Sequence, residues 1–321
     1  AQATPGAEYS EGGDIMIQWT TNFLASTLLI STPIILVGLG LVFSERAGVI
    51  NIGAEGLMLI GALMGVVGSW ATGSVILGTL IAMISGVFFS LIFAYLTVSL
   101  RANQVVAGLA LNIFAGGFTV VMNRHIFGVV GNAAKIDVFD TVSIPLLREL
   151  PVLGVSLFNQ PIPVYLALIA APLLQFYLMR SNPGLKIRAA GENPKACDSL
   201  GISVPAVRYA TLLYAGAMAG FAGAFVSMGQ VSFFSEGMIA GKGYMALAAV
   251  VFGNYNPVGV LMAGLIFGGA ESLQYRLQAT GSPVPYQFLL MLPYIITVLA
   301  LCVYRKKTNR PAFSGQPYYK E

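Results

Sequence analysis

A carboxylate stands where the chain is otherwise apolar. Glu55 lies in the run Ser44-Glu45-Arg46-Ala47-Gly48-Val49-Ile50-Asn51-Ile52-Gly53-Ala54-Glu55-Gly56, at the head of a long hydrophobic stretch. An ionisable group in such a stretch is costly in lipid, so it must face a bundle interior, a partner or water. Gly53 and Gly56 permit a non-helical break, which is tolerated at membrane depth only against protein or a cavity. Two roles fit. Asn51 and Glu55 line a bend beside a translocation path, or Glu55 serves the N-terminus of a helix beginning near Ala54. Glu45 and Arg46 read as interfacial, structural charges.

Two amides extend this polar set. Gln104 and Asn112 are eight residues apart and share a helix face, whereas Asn103 and Asn112 do not. Buried amides need hydrogen-bond partners; these either line a polar path or join helices. Phe233, Phe234 and Glu236 follow a hydrophobic run and are expected to face outward, as an interfacial aromatic belt or as a gate.

The polar loop Gly184-Leu185-Lys186-Ile187-Arg188-Ala189-Ala190-Gly191-Glu192-Asn193-Pro194-Lys195-Ala196-Cys197-Asp198-Ser199-Leu200-Gly201-Ile202 has another character. Two short helical stretches meet at Gly191, with Pro194 suited to a first helical turn. Ala196 and Leu200 make a small apolar face among charges. That pattern suits docking into a groove on a soluble partner, and it equally suits a solvated loop that sets topology.

Several chemistries are excluded. The single His125 leaves no histidine cluster for a metal, and at a membrane boundary it reads as a polar edge residue rather than a catalytic base, while Cys197 and Cys302 make no disulfide framework or cysteine metal site. No paired carboxylates or nucleophile–base set stand at useful spacing. Gly241-Lys242-Gly243 fails the phosphate-loop pattern. If ATP drives the protein's work, ATP and Mg therefore belong to another polypeptide, and no cofactor is expected in this chain.

The elements that position these residues are membrane helices. Of 321 residues, 56% are hydrophobic and 9% charged, with mean hydropathy +0.78; a soluble domain carries roughly 25% charged residues. The net charge of +4 is not a nucleic-acid signal, because in a membrane protein the placement of positive charge matters more than its sum. Nine segments are candidates to span: 21–43, 49–69, 75–99, 104–123, 161–179, 206–229, 240–253, 257–275 and 286–304. The second is interrupted by Asn51, Gly53, Glu55 and Gly56, and the seventh is short. Broken segments at Asn51–Gly56 and Gly237–Gly243 are a weak internal symmetry of the kind that marks a transport path.

Arg180, Lys186, Arg188, Lys195 and Arg208 in one loop, and Arg305, Lys306, Lys307 and Arg310 in the tail, place both in the cytoplasm by the positive-inside rule. Nine crossings then put the N-terminus outside, with loop 124–160. Residues 1–20 form a polar segment without positive charge, its first fifteen residues too hydrophilic for a signal-peptide core. Residues 21–304 are expected to form one membrane domain with a cytoplasmic loop at 181–205, and 305–321 a cytoplasmic tail, solvated over 311–321.

Three stretches carry a resemblance to the permease family shared by ribose-type sugar, branched-chain amino acid and nucleoside ABC importers. They are ERAGVINIGAEGLMLIGA at 45–62, GLKIRAAGENPKACDSLGI at 184–202 and EGMIAGKGYMALAAVVFGNYNPVG at 236–259. The first and third resemble the nucleoside branch. The resemblance covers about 21 to 304. It implies an all-α, polytopic permease of the type II-like ABC importer kind, with about nine spans and one or two broken or re-entrant helices. The resemblance further implies a multi-pass protein of the inner membrane that is non-catalytic and carries nucleosides by alternating access.

The implied partners are a cytoplasmic ABC ATPase, an extracytoplasmic nucleoside-binding protein and membrane lipid. Arg101-Ala102-Asn103-Gln104-Val105-Val106 is similar to one of two paired permease types, which implies a second, non-identical permease and a heterodimer. The resemblance makes the 184–202 loop the coupling segment, through Lys186, Arg188, Gly191, Glu192, Asn193, Ala196, Leu200 and Gly201. The path residues are Asn51, Glu55, Gln104, Asn112 and Phe234. Rival readings are the same machine carrying sugars or branched-chain amino acids, and an ion-coupled secondary transporter, for which Glu55, Glu236 and Glu271 are the available acids.

Overall fold

The computed structural model describes residues 5–128, 136–143, 153–280, 285–303 and 309–319. The helices are α1 (Pro5–Arg46), α2 (Ala54–Thr72), α3 (Val75–Ala94), α4 (Gln104–Phe127), α5 (Leu153–Phe158), α6 (Ile162–Arg180), α7 (Asn182–Glu192), α8 (Pro194–Ser199), α9 (Val204–Phe225), α10 (Lys242–Phe252), α11 (Pro257–Ala279) and α12 (Tyr286–Val303). The ends of α3 and α9 widen into π turns at Tyr95–Ser99 and Val226–Val231. Among the described residues the departure from an all-helical chain is a short antiparallel ribbon, β1 (Thr141–Ser143) paired with β2 (Asn159–Pro161).

Among the described residues, seven helices are long and apolar enough to cross a membrane. They fall on the predicted segments except the short 240–253, where α10 has 11 residues, and 286–304, where α12 lies. The interrupted 49–69 segment becomes helical only from Ala54.

Burial sorts centre from rim. The most apolar windows of α1, α2 and α9 are 78%, 72% and 67% buried, whereas those of α3, α4 and α6 are each 28% buried. A helix apolar on all sides and buried throughout belongs to a bundle core. Ile34 to Phe43 of α1 fit this description, being enclosed on every face. The rim helices turn Ile84, Phe88, Ile113, Val121, Leu173 and Phe176 outward, the composition of a lipid-facing surface.

Apolar side chains gain little from leaving lipid for each other, so close backbone approach holds such a core together. At the α3–α9 contact, a methyl group on Gly220 would land on the carbonyl oxygen of Ala82.

Local chemistry sets the helix boundaries. Asn103 N-caps α4 through Val105 and Val106 N–H. Ser181, Asn193 and Ser203 cap α7, α8 and α9, each with proline in the first turn that follows. The two short helices expected in the 184–202 loop are therefore present, parted at Asn193.

One end of the bundle, here the proximal end, gathers the turn at 47–50, the α7–α8 loop, the turn after α10 and the C-terminal segment. Arg208 Nε donates to Ala47 O at 3.2 Å, Arg46 Nε to Tyr255 O at 2.8 Å, and Asn309 N to Asn254 Oδ1 at 2.7 Å. At the distal end Ser69 Oγ donates to Asp137 O, Phe139 N to Met228 O, and Arg124 pairs with Glu236.

The solvated segment expected at 311–321 is corrected over its described part. Phe313 N donates to Gly191 O and Gly315 N to Gly48 O, at 2.9 and 3.0 Å, and Arg208 Nη1 reaches Gln316 O at 3.1 Å. Pro311 and Ser314 are buried. The prolines and aromatics there give the tail apolar surface that composition near a charged run concealed.

Candidate functional site

Two non-helical segments enter the bundle from opposite ends and meet at its middle. Residues 47–53 come from the proximal end. Gln104 Oε1, at the start of α4, accepts from Ile50 N at 2.8 Å. Eight residues along the same face, Asn112 Oδ1 accepts from Gly56 N at 2.8 Å, and Asn112 Nδ2 donates to Ile52 O at 3.0 Å. Eight residues of helix rise about 12 Å, so α2 begins at depth. The face shared by Gln104 and Asn112 is used here to pin the break.

Residues 232–241 come from the distal end, where Glu236 is held by Arg124 Nε at 3.0 Å. They finish at α10, whose Tyr244 hydroxyl takes the second Asn112 amide hydrogen at 2.8 Å.

Glu55 joins the two. It sits in the first turn of α2, but its carboxylate serves a different helix. Oε1 accepts from Gly241 N at 2.8 Å and Oε2 from Gly243 N at 2.7 Å. A carboxylate at a helix N-terminus satisfies orphan N–H groups and opposes the helix dipole. The sequence offered a helix-end role for Glu55 at α2; the structure gives it that role at α10.

Beside it, Lys242 Nζ meets Glu271 Oε1 at 2.6 Å with both side chains buried, and the Tyr275 hydroxyl donates to the same oxygen at 3.0 Å. Lys242 escaped the sequence reading, although a lysine one residue past a glycine break inside an apolar segment was the available signal. Breaking such a pair from one side leaves a buried charge and costs about 3–5 kcal/mol, whereas removing both partners is often nearly neutral. Lys242→Met is therefore expected to lower the unfolding temperature in detergent sharply, and Lys242→Met with Glu271→Leu to recover most of the loss. Equal losses in the single and double variants would show that the pair does not act as one unit.

Asn51 is fully buried in the first break, and neither side-chain atom has a partner among the described residues. Phe234 is also buried, packed into the main core, while Phe233 and Glu236 stay exposed near the distal end. The junction thus gathers Asn51, Glu55, Gln104 and Asn112 and adds Lys242, Tyr244 and Glu271. Phe234 belongs to the packing.

A second assembly lies at the proximal end. Gly191 is buried against the turn at 47–48, where an added methyl group would overlap the Arg46 carbonyl oxygen. Lys186, Glu192, Asn193, Ala196, Leu200 and Gly201 are exposed, and Leu200 is 79% exposed. Arg188 is half-buried, with Nη2 on Met179 O. Cys197 faces inward, and burial pushes its thiol up, away from the reactive thiolate form.

Among the described residues no three His, Cys, Asp or Glu side chains are grouped to hold a metal. A cavity of about 1040 Å³ lies away from the junction, between α3, α6 and α9, with an apolar lining that includes Met83, Leu173, Met218 and Phe221.

Comparison with known proteins matches residues 23–301 to the family described as "Branched-chain amino acid transport system / permease component". The chain belongs to this permease family. The permease is also 37% identical to the guanosine ABC transporter permease protein NupQ of Bacillus subtilis, over 95% of this chain and 98% of NupQ. It is 37% identical to the nucleoside ABC transporter permease protein NupC of Lactococcus lactis, over 92% and 96% of the two chains. A putative glucose ABC transporter permease protein of Haloferax volcanii, TsgC13, is 36% identical over 82% of this chain and 80% of its own. The first two organisms each supply a second, more distant relative, NupP at 27% and NupB at 25% identity. No solved structure matches the permease. With seven helices apolar enough to span among the described residues, it is a multi-pass membrane protein.

Proposed function

We propose that this permease forms one half of the nucleoside path in an ATP-driven importer, beside a second, non-identical permease. It is non-catalytic. A separate cytoplasmic ABC ATPase hydrolyses ATP, and an extracytoplasmic binding protein supplies recognition. The nucleoside cargo is supported by the printed names of NupQ and NupC. The unequal pair is supported by two organisms that each contribute one relative near this chain and one farther from it.

The observation that carries the path is a non-helical segment, 232–241, that enters from the distal end and reaches mid-depth at Gly241. Residues 232, 233, 235–237 and 240 of it are exposed. Irregular backbone is tolerated at membrane depth only against protein or water, so this segment is covered by the one or lines the other. It marks the wall that meets the partner permease and the path between them. Alternating access then moves the two breaks, which Glu55 ties together.

The proximal end is the cytoplasmic side, where exposed Glu192, Asn193, Ala196, Leu200 and Gly201 form the face that docks on the ATPase. On this reading nine crossings run from an external N-terminus to a cytoplasmic C-terminus, with 232–252 crossing as an extended entry followed by the half-helix α10. Sugar transport is the second reading, favoured by the name of TsgC13.

Uptake of labelled guanosine, adenosine and uridine by cells with and without the gene tests the cargo, with excess unlabelled glucose, ribose and leucine as competitors. Deletion is expected to abolish nucleoside uptake, and the sugars and leucine are expected not to compete. Unchanged nucleoside uptake in a strain lacking other nucleoside carriers overturns the cargo.

A further inference from the structure

Tyr244 is the aromatic side chain placed at mid-depth on the wall described above. It is 43% exposed, although its neighbours Lys242, Gly243 and Ala246 are buried. The ring is fixed from two sides. Its hydroxyl accepts from Asn112 Nδ2 at 2.8 Å, and the residue before it is held by Glu55 through Gly243 N at 2.7 Å.

Asn112 has both amide hydrogens committed within the chain. Its oxygen takes Gly56 N, and its amide group donates to Ile52 O and to Tyr244. It is a positioning residue. One turn further along α4, on the face of Asn112, a side chain at Gly116 would meet open space. The chain thus presents a rigid ring beside a cleared stretch of helix. The irregular segment 232–241 leads directly to the ring, and such a segment at depth stands against protein or water, which places the ring beside one of these. Phe233 is the other exposed ring on this segment, and it lies near the distal mouth.

We infer that Tyr244 is a stacking surface for the base of the passing nucleoside, an inference that rests on the nucleoside reading above. Stacking suits a path that must accept several bases, because every base offers a π face whatever its hydrogen-bonding edge. It also suits weak, transient binding. One ring face gives selectivity for planar aromatic cargo over a bare sugar without a deep site that would retain it.

The test uses the complete importer in proteoliposomes, with its second permease, ATPase and binding protein. Guanosine, adenosine and uridine uptake are measured beside ATP hydrolysis for the wild type and for Tyr244→Phe, Tyr244→Trp and Tyr244→Leu. Tyr244→Phe and Tyr244→Trp are expected to stay within about threefold of wild type, since the ring survives. Tyr244→Leu is expected to lose about tenfold in purine nucleoside uptake and less for uridine, with stimulated ATP hydrolysis intact.

Normal uptake by Tyr244→Leu overturns the inference, and so does an equal loss in Tyr244→Phe, which would assign the effect to the hydroxyl bond. If Tyr244→Leu fails to assemble, Tyr244→Trp decides alone: retained purine uptake supports the inference and lost uptake overturns it. A wild-type importer that moves sugar and no nucleoside defeats the functional reading itself. Nucleoside transport indifferent to Tyr244 defeats only the stacking.

Discussion

Glu55→Ala is expected to abolish nucleoside uptake, by about a hundredfold or more, while ATPase binding survives. The substitution strips acceptors from Gly241 N and Gly243 N, which lie 2.8 and 2.7 Å from the two carboxylate oxygens. Each buried N–H left unpaired costs roughly 1–3 kcal/mol. Two such losses reach the roughly 2.8 kcal/mol that corresponds to a hundredfold change in a population. The whole cost falls on one contact, the tie between the breaks at 47–53 and 232–241, so the α10 entry loses its seat. Glu55→Gln keeps one good acceptor and turns an amide N–H toward the other backbone donor. It is expected to fall between wild type and Glu55→Ala. Proteoliposome uptake, with ATP hydrolysis recorded in parallel, separates the variants. Wild-type transport by Glu55→Ala would show that the tie is dispensable.

The same residues show how far the sequence could be read. Glu55, Gln104 and Asn112 stood out because polar groups in apolar segments must have partners, and the partners exist. Which partners they were could not be read. The Glu55 carboxylate crosses 186 positions to Gly241, and no local pattern announces so distant a contact. Helix positions were legible because each long apolar run has to pay for its own backbone polarity by coiling. The short α10 and the late start of α2 were visible as interruptions, since glycine and asparagine weaken a helix wherever they cluster. Phe234 was misplaced for an opposite reason. An aromatic beside Glu236 reads as interfacial, yet the segment turns it into the core while leaving Phe233 and Glu236 outside. The tail was misread because its packing depends on Gly48 and Gly191, two glycines with no apolar signal of their own.

Deleting residues 309–321 is expected to uncouple the importer, with ATP hydrolysis persisting and nucleoside transported per ATP falling toward zero. The described tail crosses every proximal element that must move together. Phe313 N bonds Gly191 O in the proposed docking loop, Gly315 N bonds Gly48 O at the foot of the first break, and Tyr318 packs on Ala190, Cys197 and Val204. Tyr319 lies under Arg101, 4.6 Å from ring centroid to guanidinium carbon, at the α3–α4 turn. Arg208, 1% exposed, keeps its bond to Ala47 O but loses Gln316 O, so a buried cation is left half-satisfied. The membrane helices hold together without these contacts, so insertion should be normal. What disappears is the rigid link by which a push on the loop reaches the 47–53 segment. Gly191→Leu attacks that link from its other side, because its side chain overlaps the Arg46 carbonyl, and it should give the same phenotype without shortening the chain. Coupled transport in both variants would refute the link. Loss of ATPase binding in the deletion alone, with Gly191→Leu still bound and uncoupled, would make the tail part of the docking face as well, since exposed Tyr319 and Leu200 both lie at this end.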